Sequence, residues 1–334
     1  MSALAEGGRG RAATSTVTKL AERFGIIGLW GVMIGVYSAV ESSNFDTQGT
    51  FQTILSSQAA LVFLSMAFLC TVIVGEFVDL SVAAILGLCA TLIPVLTVFD
   101  HFNVALASVI AVAVGVSAGA INGLLIVFVG VNTIVVTLGM STLLTGIALA
   151  IAHLGPVSGL SASFGKLALA NVGGWPFGGL PVSFYYGIGL TLAFAYVLAF
   201  TPLGRHMQFV GANREVSRLA GVRVNAIRFG AFVAAGALCG IGAVVVSAGV
   251  GGFDPNSSVN YLLPTVSAVF LGTAVIRPGR FNPIGTFVSV YFLETGILGL
   301  EELNLAAWIS DVFYGAALIV AVMLTTVLRR RAST

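Results

Sequence analysis

The sequence predicts an all-α polytopic membrane protein of about ten transmembrane helices, with both termini cytoplasmic. Two observations carry that class. Hydrophobic residues make up 57% of the 334-residue chain and charged residues 8%, with a mean hydropathy of +1.04, whereas soluble domains are roughly a quarter charged. The few basic residues, moreover, gather in alternate segments between the apolar runs.

A span needs about twenty apolar residues to cross roughly 30 Å of hydrocarbon. Breaks at charged residues, prolines and Gly/Asn-rich points give candidate spans at 24–40, 57–75, 80–98, 104–127, 133–153, 183–200, 229–248, 263–276, 283–299 and 306–328. The domain layout is therefore a tail at 1–23, a transmembrane domain at 24–328 and a tail at 329–334. Arg9, Arg11, Lys19 and Arg23 before the first run superficially resemble a signal peptide. That run is long for a signal core and lacks a small-x-small cleavage site, so a retained first span is expected.

With a cytoplasmic N-terminus, the inner segments are 1–23, 76–79, 128–132, 201–228, 277–282 and 329–334, and they hold four, zero, zero, five, two and three Lys/Arg. Fourteen of the fifteen basic residues then lie inside, Lys166 being the exception. Most acids, Glu41, Asp46, Asp100, Asp254, Glu301 and Glu302, fall outside, as a solvated face or as a docking surface for an extracytoplasmic partner. The outer loop 154–182, rich in Gly, Ser and Pro and carrying Trp175 and Phe177, is long enough for a lid or an interfacial segment.

Within the spans, Gly31xxxGly35, Gly115xxxGly119, Gly119xxxGly123 and Gly236xxxGly240 have the small-xxx-small spacing of closely approaching helices. A faint internal echo at an offset of 202 residues aligns Phe68-Leu69-x-Thr71 with Phe270-Leu271-x-Thr273, a possible two-half architecture. Cys70, Cys89 and Cys239 lie in apolar runs without metal-ligand spacing and read as small buried apolar residues.

The longest polar interruption runs from Thr201 to Arg228 and holds five of the fifteen basic residues. Its centre is punctuated as a short helix. Asn213 suits the N-cap, Glu215 the first turn, Arg218 the last turn and Gly221 a left-handed stop. Val216, Leu219 and Ala220 share one face, which needs a partner in this chain or another.

Little in the sequence points to catalysis. No Walker A motif occurs, since the lone Gly165-Lys166 pair continues with Leu167. His101, His153 and His206 are isolated and interfacial, and no nucleophile elbow or metal cluster is present, which argues against a membrane-embedded enzyme. The charge balance gives no nucleic-acid reading. The polar groups near or within spans are Glu76, Asp79 and Ser81, then Asn122, Asn132, Thr133 and Thr137, then Glu294 and Asp311. The first set reads as an inner-surface turn or as a broken helix facing a cavity, with Asp79 or Ser81 capping the third span. Asn122 reads as an interhelical hydrogen-bonding residue or as part of a polar passage. Glu294 and Asp311 lie near the outer surface, where they can snorkel.

Four segments in order, GEFVDLSVAAILGL, AINGLLIVFVGVNTIVVTLGM, GRHMQFVGANREVSRLAGVRVNAIR and AVFLGTAVIRPGRFNPIGT, resemble the membrane permease subunit of ribose-type sugar ABC importers over residues 50–325. The resemblance implies a ten-span ABC importer permease fold in a bacterial inner membrane, with a translocation path between two permeases. It also implies two cytoplasmic ATPases that carry ATP and Mg, and an extracytoplasmic binding protein delivering a monosaccharide or similar polyol.

The segment resembling Gly204–Arg228 would be the coupling element that docks on the ATPase. Val216, Leu219 and Ala220 are assigned to its groove contact, Glu215 and Arg218 to its polar flank, and Gly211 and Gly221 to turns that set its angle; Arg205 and Asn213 belong to the same element. Asp79, Ser81, Asn122, Asn132 and Thr137 are the candidates for the path. The chain departs from the family's Gly-Gly-Ile-Asp-Leu-Ser at Gly75–Ser81, and from a Gly-rich segment at Ile276–Pro283. Both departures bear on the solute more than on the fold. The alternative reading is an ion- or proton-coupled secondary transporter using Glu76, Asp79, Glu294 or Asp311 as carriers.

Overall fold

The computed structural model describes residues 24–40, 48–173, 179–303 and 308–332, with side chains at 48 and 324–332 left undescribed. The terminal tail 1–23, Glu41, Asp46, Trp175, Phe177, and the side chains of Arg329, Arg330 and Arg331 lie outside the described residues.

The described chain is a helical bundle built around one helix. After α1 (Phe24–Val40), α2 (Gln48–Ser57) and α3 (Ala59–Ile73) form a nearly continuous rod, Gly49–Ile73. Every residue of α3 is buried. A helix apolar on all sides has no preferred face and belongs in the centre of a bundle. Against it stand α4 (Val82–Pro94), α8 (Val182–Phe200), α11 (Val224–Val250) and α13 (Pro283–Glu302), with α5 (Val104–Gly123) packed on α11 and α6 (Thr133–Ile151) on α4. π-helical turns prolong α4 to Phe99 and α5 to Val129. Seven of these rods are long and apolar enough to cross a membrane, while α1 and Trp308–Met323 at the start of α14 (Trp308–Ala332) are shorter apolar helices.

Two expected spans come out differently. The run 263–276 is a ten-residue helix, α12 (Leu262–Leu271), between 3-10 turns at Pro255–Tyr261 and Gly272–Ala274. Apolar composition alone did not show that Pro255, Pro264 and Gly272 punctuate it. The seventh span begins at Val224 rather than 229. Arg228 was taken as a boundary, but it lies inside the helix because its charge is matched.

The helix crossing of α5 and α11 explains the glycine spacing. A Cβ at Gly119 would overlap the Phe232 carbonyl, and one at Gly236 would overlap the Gly115 carbonyl. Backbone therefore meets backbone, which is how small residues hold membrane helices together where the hydrophobic effect gives no preference over lipid. Gly31 and Gly35, by contrast, have nothing within 4 Å. Ser247 at the other end of α11 donates to the Ala90 carbonyl at 3.0 Å, fastening α11 to α4.

Helix starts carry the caps their sequence allows. Asn103, Asn132 and Asn282 accept from backbone N–H groups at the starts of α5, α6 and α13, and Ser161 does so for α7 (Ala162–Leu169). The outer loop is more structured than its composition suggests. Its β1 (Val157–Ser158) pairs antiparallel with β4 (Gly252–Phe253), and β2 (Asn171–Val172) with β3 (Leu180–Pro181), while Phe164 and Ala168 of α7 are buried. It is a packed cover on the bundle end.

The internal echo also has a structural counterpart. Thr71 donates to the Phe68 carbonyl at 2.9 Å and Thr273 to the Phe270 carbonyl at 2.7 Å. Each bond stands at a helix end. Each is followed by a non-helical stretch with a left-handed residue, Gly75 at φ +86° and Ile276 at φ +62°, before the next long helix begins. Glycine takes that conformation freely, whereas β-branched Ile276 is strained in it.

The crossing sets a prediction. Gly236→Leu should lower the melting temperature of the detergent-solubilised protein sharply, by an overpacking cost of about 1–3 kcal/mol or more. Gly31→Leu should leave it near the parent value; equal losses at both positions would contradict the close-approach assignment.

Candidate functional site

At one end of the bundle the chain concentrates its described arginines and its most buried charge. The segment 201–228 opens with α9 (Pro202–Ala212), capped by Thr201, whose hydroxyl accepts from Gly204 N–H. Gly211 sits inside α9 rather than at a turn, which corrects the expectation from sequence. A Cβ there would overlap the Ile73 carbonyl, so its function is to let α9 lie against the end of α3. Arg205 is exposed on the same helix.

The short helix α10 (Arg214–Leu219) follows. Asn213 Oδ1 accepts from both Glu215 and Val216 N–H at 3.0 Å. At the far end Gly221 N–H donates to the Arg218 carbonyl and Val222 N–H to the Ser217 carbonyl, each at 3.0 Å, with Gly221 at φ +81°. This pair of bonds is the Schellman stop. Both ends of a helix too short to persist alone are thereby satisfied.

Ser217 faces inward and is buried, its hydroxyl donating to the Asn213 carbonyl at 2.8 Å. Val216 and Leu219 consequently point away, 60% and 80% exposed, with Ala220 exposed beside them. Glu215 and Arg218 pair at 2.7 Å on the surface, a contact that contributes little to stability.

Sequence reasoning missed the group that anchors this element. Glu76, in the turn between α3 and α4, is 4% exposed. Its Oε1 accepts from Arg214 Nη2 at 2.7 Å and from Arg228 Nε at 2.8 Å, with Arg228 Nη2 also in contact, and its Oε2 accepts from Thr133 Oγ1 at 2.6 Å. Arg214 also donates to the Gly75 carbonyl at 2.9 Å. One carboxylate therefore joins the end of α3, the start of α6, the start of α10 and the start of α11. A signal was available: Glu76 is an apolar-flanked acid on the face that charge placement makes basic, and such a carboxylate must find an arginine.

The proposed path residues separate into two groups. Asp79, Ser81 and Asn122 are buried together: Asp79 Oδ1 accepts from Ser81 N–H at 3.1 Å and Oγ–H at 2.6 Å, and Ser81 Oγ accepts from Asn122 Nδ2 at 2.8 Å. Burial pushes the Asp79 carboxyl up from its ordinary value, opposed by the two Ser81 hydrogen bonds, while the Glu76 charge adds to the rise. Asn132 is an exposed N-cap, and Thr137 is buried and returns its hydroxyl to the Thr133 carbonyl. Of the two readings of Asn122, the interhelical hydrogen bond is the one this geometry displays. None of the five lines either of two large cavities at the basic end.

Among the proposed carriers, Glu76 is held by two arginines and Asp79 by Ser81. Glu294 is half-buried on α13. Asp311 lies in the first turn of α14, where its charge suits the helix dipole. Among the described residues no group of three or more His, Cys, Asp or Glu is placed to hold a metal ion.

Comparison with known proteins gives the chain a family. Residues 50–322 match the family model described as branched-chain amino acid transport system / permease component. The chain is 31% identical over 306 residues to the autoinducer 2 import system permease protein LsrC of Enterobacter sp. (strain 638), covering 91% of this chain and 85% of the relative. It is 29% identical over 291 residues to LsrC of Photorhabdus laumondii subsp. laumondii, covering 86% and 84%. To the autoinducer 2 import system permease protein LsrD of Salmonella typhi it is 28% identical over 273 residues, covering 79% and 82%. No solved structure matches the chain.

Removing Glu76 leaves two guanidiniums facing each other without their counter-charge. Glu76→Ala should therefore destabilise the protein by about 3–5 kcal/mol, as for other broken buried pairs. Arg214→Ala, whose side chain is 42% exposed, should cost on the order of 1 kcal/mol. Unfolding in a denaturing detergent series measures both, and an Arg214 variant as damaging as the Glu76 variant would contradict the ranking.

Proposed function

The chain belongs to the branched-chain amino acid transport system / permease component family, and from that premise we propose how it works as the transmembrane subunit of an ATP-driven importer. It is a multi-pass protein of the bacterial inner membrane, a transport subunit and not an enzyme. Its family works with an ATPase and an extracytoplasmic binding protein.

The observation that carries the mechanism is the outward-facing Val216 and Leu219 on a helix whose other side is tied to Glu76. Leu219 is 80% exposed beside arginines, on a helix closed at both ends. It suits a hydrophobic groove on a soluble partner. We assign that partner as the ATPase subunit, which would bind ATP and Mg, and place this end of the bundle in the cytoplasm. Positive-inside charge placement supports the orientation.

Movement of the ATPase then pulls on α10. Arg214 passes the displacement to Glu76, and Glu76 passes it to Arg228 at the start of α11, to Thr133 at the start of α6 and to the end of α3. Because α11 packs against α5, α3 and α4, a shift at its start reaches the bundle core. The path itself runs between two permeases, either two copies of this chain or this chain with a paralogue, a reading supported by the likeness to ribose-type permeases. The solute is a sugar or a similar small polar molecule. The autoinducer 2 import permeases among the relatives and the order of the ribose-type motifs both support that class.

The assignment predicts separate effects at neighbouring residues. Leu219→Asp should insert normally yet lose ATPase co-purification and solute uptake, by tenfold or more on the order of a lost interface anchor. Gly221→Val, strained at positive φ, should disturb coupling while the bundle still folds. Normal uptake in both variants would sink the docking assignment, and uptake abolished by a protonophore at constant ATP would favour an ion-driven carrier.

A further inference from the structure

A second feature of the basic end is not needed for coupling. The stretch Ile276–Asn282, between α12 and α13, brings Arg277 and Arg280 to a groove of about 740 Å³ bounded by α8, α9 and the end of α3. Both arginines are exposed, and among the described residues neither has an ion-pair partner, whereas Arg214, Arg228 and Arg218 each have a carboxylate. No Asp or Glu lines the groove.

Apart from Gln208 and Asn282, whose amides donate to carbonyls of the chain itself, the rest of its wall is apolar. Leu192, Tyr196 and Phe200 recur every fourth residue on α8 and are 58%, 61% and 73% exposed, with Phe209 of α9 at 60% across from them. From Leu192 to Phe200 the wall runs about 12 Å along the helix. Only 22% of the α8 span is buried within the chain, so this wall faces outward along the depth of the membrane.

An unneutralised pair of guanidiniums at the mouth and an apolar wall running inward from it describe one kind of occupant, an anionic amphiphile. We propose that the groove is a binding site for an anionic phospholipid of the cytoplasmic leaflet. Arg277 and Arg280 hold the phosphodiester, and an acyl chain lies along Leu192, Tyr196 and Phe200. Guanidinium groups suit the phosphate because they offer several fixed N–H donors. The neighbouring larger cavity, about 960 Å³, has a single guanidinium, Arg223, and is bordered by Ala220–Arg223 of the coupling segment. That places it with the ATPase face and makes it the internal control.

The test uses the full-length permease in detergent with native mass spectrometry, titrating phosphatidylglycerol, phosphatidylcholine or inorganic phosphate. The parent should retain phosphatidylglycerol in preference to phosphatidylcholine. Arg277→Gln with Arg280→Gln should reduce that occupancy about tenfold or more, from about 1 kcal/mol for each basic residue near the lipid surface. Phe200→Ser should weaken it as well, because the acyl chain loses its wall. Arg223→Gln should leave it unchanged, and all variants should keep the parent melting temperature.

Equal retention of phosphatidylcholine, displacement of the lipid by inorganic phosphate, or undiminished occupancy in the double variant would overturn the proposal. So would an equal loss with Arg223→Gln, and so would a dimer contact or ATPase cross-link that buries Arg277 and Arg280. Failure here would leave the importer assignment intact, since that rests on the family match, and the docking assignment too, since that rests on α10 and Glu76.

Discussion

The structure depends on one buried carboxylate in a chain that is otherwise poor in charge. Glu76 costs several kcal/mol to desolvate and recovers it only by accepting from Arg214, Arg228 and Thr133 together. Those donors come from two parts of the chain far from Glu76 in sequence, Thr133 and the segment that holds Arg214 and Arg228, so satisfying one charge fixes the relative positions of α3, α6, α10 and α11. The charge is therefore both a structural pin and a junction.

Above that junction the bundle is held by different forces. Lipid is as apolar as leucine, so close helix packing replaces hydrophobic driving force. The glycines at the α5 and α11 crossing provide that closeness by letting backbone meet backbone at Gly115, Gly119 and Gly236. The buried polar residues follow the same logic: Asp79 accepts from Ser81, and Ser81 accepts from Asn122, all three being buried. Rigidity in the core and an exposed, capped helix at its edge are complementary.

Much of this was legible in the residues. Apolar run lengths pointed to the all-α membrane class, and Asn213 and Gly221 marked the ends of α10 correctly. Helix boundaries drawn at charges failed at Arg228, because a charge ends a span only when nothing inside neutralises it. The run 263–276 was read as a full span because hydropathy is blind to backbone geometry, and Pro255, Pro264 and Gly272 shorten the helix there. Gly211 was placed at a turn, since a glycine needed for close approach and one needed for a bend look alike in sequence. Glu76 was hardest to see: its partners lie 57, 138 and 152 residues away, beyond any local pattern.

The most direct measurement of the account is the number of solute molecules imported per ATP hydrolysed, in proteoliposomes holding the permease, its ATPase and its binding protein, for the parent and for Glu76→Gln. The account predicts that the variant still binds the ATPase and still hydrolyses ATP, while solute imported per ATP falls about tenfold, the loss expected when a coupling of about 1.4 kcal/mol is removed. An unchanged ratio, with the Glu76→Gln protein folded and its ATPase bound, would contradict the claim that the coupling displacement passes through this carboxylate.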